Sequence, residues 1–198
     1  MIKPLLKEHS SQVALLHIQG ISTGFISSLG HKFVTALYES IAESPYGFGF
    51  VEEDEGKVLA FVAFTTNLGG LYKSILKKNV IRFSWLLFYR LFSWKKIKRI
   101  FETLFYPARV EKRELPKSEL LSIAVSHDQR GKGLAATLIM RGLRECSLKE
   151  IPQVKVLVAD FNEPANRLYQ KTGFVLVSQV ESHGIVSNLY VVSTADIS

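Results

Sequence analysis

The sequence predicts an α/β fold, a mixed, central twisted sheet flanked by helices. Two observations carry this. Apolar strand patterns alternate with helical patterns through the second half of the chain, the order expected of a layered sheet-and-helix domain. Within that alternation, an apolar run at 120–125 leads straight into Asp128-Gln129-Arg130-Gly131-Lys132-Gly133-Leu134-Ala135 and out into a helical pattern, which is a strand, a glycine-bearing turn and a helix in succession. With 198 residues, 47% of them hydrophobic, the chain fits one domain over 1–198 with an insertion over 68–116.

Taken in order, Val13, Ala14, Leu15 and Ile18 recur at helical spacing after Ser10-Ser11, a pair able to cap a helix. A second helix is expected over 30–42, with Phe33, Val34, Leu37 and Ile41 on one face and Ser27 or Ser28 as its cap. Segments 46–51 and 57–66 read as strands, and the polar Glu53-Asp54-Glu55-Gly56 between them makes a hairpin. Strand 120–125 and helix 135–148 follow, then an alternating strand at 154–159. A short helix at 163–171 carries Pro164 in its first turn. Strands at 173–180 and 188–193, joined by a polar loop with Gly184, complete the order.

Composition narrows the function classes. A single cysteine, Cys146, excludes an internal disulfide and suits a reducing, cytoplasmic setting; it falls in an apolar helical run and reads as a packing residue. The five histidines have no metal-ligand spacing, so no metal is expected. No apolar stretch follows Met1-Ile2-Lys3-Pro4, so no signal peptide is expected.

Charge is concentrated. Residues 72–113 hold twelve Lys/Arg against Glu102 and Glu111, a net of +10 in a chain whose total is +7. The same segment holds both tryptophans and ten of the 22 aromatics. Ile97, Ile100, Phe101, Leu104 and Phe105 trace an amphipathic helix that Ser93 would cap, and residues 80–92 before it are apolar nearly all round. The longest uncharged run there is seven residues, against about 20 for a membrane span. Three readings stand open: a helical subdomain that packs on the sheet or across a homodimer interface, a lid that draws in an anionic or lipid-linked substrate, and peripheral docking on an anionic membrane. Charge alone would admit nucleic acid, but no reading motif supports it.

The glycine turn is a recipe for an anion site. A helix start leaves backbone N–H groups unpaired and carries positive dipole charge. Gly131 and Gly133 let a phosphate approach the backbone, and Arg130 and Lys132 add charge. A P-loop is excluded because no Gly-Lys-Ser/Thr ends the turn. Ala136 fits a dinucleotide fingerprint, but the acidic residue that fingerprint needs downstream is missing.

Arg130-x-x-Gly133-x-Ala135 resembles the pyrophosphate loop of the GNAT acyltransferase superfamily, whose pattern is Gln/Arg-x-x-Gly-x-Gly/Ala. Downstream, Asn162-Glu163-Pro164-Ala165-Asn166-Arg167-Leu168-Tyr169-Gln170-Lys171-Thr172-Gly173-Phe174 is similar to that family's second signature: an Asn after a strand, a short helix with a Tyr, then Gly-Phe opening the next strand. The resemblance covers 120–192 well and 1–67 in pattern only, while 68–116 matches nothing in a minimal member.

The resemblance implies a GNAT-type sheet, with the basic helical insertion between the N-terminal hairpin and the cofactor-binding strand. It implies acetyl-CoA, or a related acyl-CoA, as co-substrate. The N–H groups of Arg130, Gly131, Lys132, Gly133, Leu134 and Ala135 would hold its pyrophosphate. The strand edge at Ile123, Ala124 and Val125 would pair with the pantetheine amides, and this strand would splay from 154–159 to admit them. Asn162, and less directly Asn166, would hydrogen-bond the same arm. The Val125 N–H would steady the developing oxyanion. Tyr169 would protonate the leaving thiolate, a phenol of pKa about 10 being a reasonable partner for it.

The base is not legible. Strand 154–159 carries no carboxylate, and Glu52, Glu53, Glu119 and Asp160 each read as solvated or turn residues, leaving a water chain as the alternative. The implied activity is acetyl transfer to a primary amine of a small molecule or sugar. An amino sugar of a cell-envelope precursor is the first reading, since a basic aromatic segment suits a nucleotide- or lipid-linked sugar. A protein N-terminus or lysine, and an acyl-CoA-binding domain without turnover, stay open.

Overall fold

The computed structural model describes residues 1–21, 25–88, 115–182, 184–195 and 197. The strands are β1 (Ile2–Pro4), β2 (Gly47–Asp54), β3 (Lys57–Thr65), β4 (Glu119–Val125), β5 (Gln153–Ala159), β6 (Val175–Ser182) and β7 (Ile185–Ser193). The helices are α1 (Ser10–Gly20), α2 (Phe25–Ser28), α3 (His31–Ala42), α4 (Leu68–Phe88), α5 (Leu134–Leu148) and α6 (Glu163–Lys171). The strands form one sheet in the order β1-β2-β3-β4-β5-β7-β6. Every neighbouring pair is antiparallel except β4 and β5.

Helices cover both faces, as the alternation requires. On one face, Val13, Val34, Tyr38, Phe61, Ala63, Leu71 and Ala124 form a core under α1, α3 and α4. On the other, Val62, Phe64, Leu120, Leu138, Leu143, Val156, Tyr169 and Tyr190 form a second core under α5 and α6. Burying each large apolar side chain contributes about 1.5–3 kcal/mol, so neither face can be left open. Two glycines set how closely helices approach. A Cβ on Gly142 of α5 would sit 2.0 Å from the Phe64 ring, and one on Gly20, where α1 ends, 2.9 Å from the Ala124 methyl.

The hairpin turn is Glu55-Gly56, both at positive φ (45° and 78°), closed by the Asp54–Lys57 pair. That is the two-residue turn whose twist matches its strands, and Gly takes one of its left-handed positions. The expected serine caps do not form. Ser10 is the first residue of α1 with its hydroxyl unpartnered, while Ser27 and Ser28 bond the carbonyls of Ile21 and Phe25. Gly30 precedes α3 without a side-chain cap. Of the basic segment, α4 is described to Phe88, and Phe83 packs edge-on against Phe33 at 5.1 Å. The expected amphipathic helix at 97–105 lies outside the described residues. Among the described residues, no helix is long and apolar enough to cross a membrane.

Candidate active site between β4 and β5

The parallel strands β4 and β5 pair at one position, Glu119 with Lys155, tied by the Lys155 N–H donating to the Ser118 carbonyl at 3.1 Å. Beyond it the ladder stops. Leu121, Ser122 and Ile123 keep partial exposure, although a strand in the middle of a helix-covered sheet is normally buried on both faces. The sheet therefore holds a gap that widens from a closed vertex.

Ser126, just past β4, donates its N–H to Leu59 of β3 at 2.8 Å. Successive residues of a strand turn their backbone groups to opposite sides, so Val125 and Ile123 direct theirs into the gap and Ala124 directs its own toward β3. Opposite Ala63 and Phe64, β4 carries an extra residue, so Ala63 pairs with Ser122 and Phe64 with Leu120. Such a bulge bends the strand and re-aims its side chains.

At the wide end, Gly131 (φ 79°) and Gly133 (φ 80°) turn the chain into α5, whose first helical bond is Thr137 N–H to the Gly133 carbonyl. Among the described residues, the amides of 131–136 find no acceptor. A Cβ at either glycine would meet nothing within 4 Å, so open space lies before these donors. The Arg130 guanidinium folds back to the Val125 carbonyl (3.4 Å), and Lys132 reaches Gln129 (2.8 Å). A run of free N–H groups at a helix start, opening on a strand edge with free amides, suits a diphosphate joined to an amide-bearing arm.

The acetyltransferase (GNAT) family model matches residues 18–174. The chain belongs to the GNAT acetyltransferase family. Family members use acetyl-CoA, and the donors just described fit its two anionic and amide portions. No curated protein is similar to this GNAT chain by sequence. It is similar in fold to an N-acetyltransferase from Staphylococcus aureus Mu50, at 19% identity and TM-score 0.62 over 98% of both chains. Arabidopsis thaliana NAA60 in complex with acetyl-CoA matches at 16% identity and TM-score 0.60, over 98% of this chain and 97% of that one. A spermidine N-acetyltransferase SpeG chimera from Vibrio cholerae and hSSAT matches at 14% identity and TM-score 0.63, over 100% and 96%.

The two GNAT signatures lie at the start of α5, after β4, and on α6, after β5. Tyr169 of α6 lies in the α5/α6 core, 5% exposed, with its ring edge-on to Phe174 at 5.6 Å. Burial raises its phenol above the ordinary value, and among the described residues its hydroxyl has no hydrogen-bond partner. Asn162 caps α6, its Oδ1 accepting the Ala165 N–H at 3.4 Å, and stays exposed with its Nδ2 free among the described residues. Asn166 departs from its expected part. Its Nδ2 donates to the carbonyls of Ala159, Asp160 and Asn162, and its Oδ1 accepts from Asn188 Nδ2 and the Tyr190 hydroxyl at 2.8 and 2.9 Å. That uses every donor and acceptor of the amide. Asn166 fastens α6 to the end of β5 and to β7 and has nothing left for a ligand.

Glu119 also departs from its reading as a solvated carboxylate. It is the first residue of β4, at the vertex, with its side chain 17% exposed. Burial raises its carboxyl to about 7; Lys155 Nζ, 3.7 Å away, opposes the rise in part. Lys155 also donates to the Pro116 carbonyl. Glu119 pairs with Thr65, whose side chain follows Phe61 and Ala63 on the α1/α3/α4 face, so its carboxyl lies on that face as well. Tyr72 of α4 feels its charge there. The sequence hid this because Glu119 follows the polar run Pro116-Lys117-Ser118, while its burial comes from α4, distant in the chain. Cys146 is a packing residue, fully buried, with its thiol pushed up to about 12 by burial. Among the described residues no cluster could hold a metal ion.

Proposed function

We propose that the chain transfers the acetyl group of acetyl-CoA to a primary amine, with Glu119 as base and Tyr169 as acid. The observation that supports this is a pair of proton-handling side chains on opposite faces of the interrupted sheet: Glu119 toward α4, Tyr169 within the α5/α6 core. When bound, acetyl-CoA supplies an acyl group already activated as a thioester. The amides from Gly131 to Ala135 hold the diphosphate, Val125 pairs with the pantetheine amides, and Asn162 Nδ2 reaches the same arm. The Ile123 N–H, further along β4 toward Glu119, faces the thioester carbonyl oxygen and stabilises the charge that grows on it. Glu119, raised to about 7, is partly ionised at neutral pH and takes the proton that the ammonium must lose. Tyr169, raised by burial, keeps its proton at neutral pH and gives it to the departing sulfur. Glu119 supports turnover over the alternative of an acyl-CoA-binding domain without catalysis.

The test is Tyr169→Phe. Thiol release is expected to fall 10²-fold or more while acetyl-CoA affinity, measured by calorimetry, stays within about threefold. Unchanged turnover would remove Tyr169 from the chemistry.

For the acceptor, we infer an amine on an anionic carrier, such as an amino sugar of a cell-envelope precursor. The net charge of +10 over 72–113 supports it, because α4 begins that segment and brings Tyr72 to Glu119 at the vertex. Nucleotide-linked glucosamine, a peptide amine and spermidine, compared at two salt concentrations, discriminate the classes. The anionic amine is expected to have the highest kcat/KM and to lose it as salt rises. A preference for spermidine would refute this.

A further inference from the structure

A chain of hydrogen bonds leads from the gap into the helical layer and takes no part in the mechanism above. Ser122 sits at the β4 bulge, on the strand that borders the gap, and is partly exposed. Its Oγ lies 2.7 Å from the Tyr38 hydroxyl, and that hydroxyl lies 2.7 Å from His17 Nδ1. Tyr38 is 1% exposed and His17 5%, Tyr38 being packed edge-on to His17 and Phe61. Among the described residues, Ser122 Oγ and His17 Nδ1 are the partners of that hydroxyl, and Ser122 has no second one.

Polarity follows from chemistry. Burial holds His17 neutral, its pKa lowered to about 4, so one ring nitrogen carries hydrogen and the other is an acceptor. A phenol is the strongest donor of the three groups and an imidazole lone pair the strongest acceptor, so Tyr38 donates to Nδ1. The Tyr38 oxygen then accepts the Ser122 proton. Ser122 has one O–H and two lone pairs; with its proton committed inward, it presents only an acceptor to the gap. Its face is the one that carries Glu119, opposite Tyr169.

We propose that Ser122 binds the acceptor amine, taking a hydrogen bond from its N–H beside Glu119, and that Tyr38 and His17 are positioning residues that hold it in that polarity. This rests on the acetyl-transfer reading above. An N–H donor on the incoming nucleophile meets a fixed lone pair, and the amine lone pair is turned toward the carbonyl carbon in the gap.

Steady-state kinetics of Ser122→Ala with nucleotide-linked glucosamine as acceptor, scored as amine-dependent thiol release over hydrolysis, tests it. KM for the amine is expected to rise about tenfold, as for one lost hydrogen bond to a charged donor. kcat and the acetyl-CoA Kd are expected to stay within about twofold, and Ser122→Thr to restore KM. Tyr38→Phe, which leaves the Ser122 proton without its acceptor, is expected to raise KM severalfold, and His17→Gln, which keeps an acceptor for Tyr38, less. An unchanged KM in Ser122→Ala overturns the proposal. So does a tenfold fall in kcat at constant KM, which would mean that Ser122 donates to the thioester carbonyl. Absence of amine-dependent release with nucleotide-linked glucosamine, a peptide amine and spermidine alike, in the parent protein that binds acetyl-CoA, would instead overturn the acetyl-transfer reading itself, and the role of Ser122 with it.

Discussion

Glu119 and His17 are buried titratable groups with opposite consequences. Glu119 has its pKa raised from the ordinary 4.5 to about 7. The unfolded chain therefore gives up this proton first, and the fold loses stability as pH rises between those values. His17 is lowered from 6.5 to about 4. Its contribution is full above 6.5 and is lost as pH falls toward 4, where the unfolded chain binds a proton that the folded one refuses. For catalysis, kcat/KM is expected to rise with pH and level off above about 7 as Glu119 ionises. Glu119→Gln should lower the rate 10²- to 10⁴-fold and flatten that limb, as read from a pH–rate profile. Lys155→Met should move the limb to higher pH, because Lys155 opposes the rise. At this scale the sequence was partly legible. Tyr169 and the glycines stood in motifs with fixed spacing. The base, the Ser122–Tyr38–His17 chain and the fully bonded Asn166 depend on which distant segments cover them, and no local pattern carries that.

The elements were legible where their periodicity was strong. Helices α3, α5 and α6 and the second strand of the hairpin begin and end within about one residue of the pattern that announced them, because a face must be buried along the whole length, while β2 runs three residues past its expected end into the polar Glu52-Glu53-Asp54. The three-residue β1 and the four-residue α2 are too short to show a period. The Ser27 and Ser28 caps failed because their hydroxyls turned to other carbonyls. Two glycines make testable claims. Gly142→Ala would gain up to about 1 kcal/mol of helix propensity, but its methyl meets Phe64, and that ring is buried and stacked at 5.3 Å on Phe48. The clash wins, and a net loss of about 1–3 kcal/mol is expected, visible as a lower Tm. Gly133→Ala forces a side chain to φ 80°, at about 1–2 kcal/mol. Its methyl also enters the space before the free amides, so acetyl-CoA binding should weaken about tenfold by calorimetry. Retained affinity would deny the loop its proposed role.

At the scale of the molecule, the order of strands and helices announced a layered α/β domain, and the family match over 18–174 agrees with that order. The gap was expected from the resemblance alone, since β4 and β5 are both strong apolar strands and nothing in either says that they part. Their separation comes from elsewhere. β4 follows β3, and β5 follows β7, each through an antiparallel ladder that runs to the strand end. Twist carries the two ladders apart once the vertex pair is passed. Acetyl-CoA at 100 times its Kd should stabilise the fold by about 2.7 kcal/mol, a shift that Gly133→Ala should diminish.

A sheet interrupted at its centre has two inner edges, and an exposed inner edge is as sticky as an outer one. In the proposed reading both are covered by the slender pantetheine arm of acetyl-CoA, an amide-bearing thread without flanking side chains. The thread, once seated, makes a continuous ladder of what had been two. Amide hydrogens of Ile123 and Val125 should then exchange with solvent more slowly while neighbours facing β3 are unaffected, a pattern of alternate residues that deuterium labelling resolved by residue would register as the imprint of a non-peptide strand.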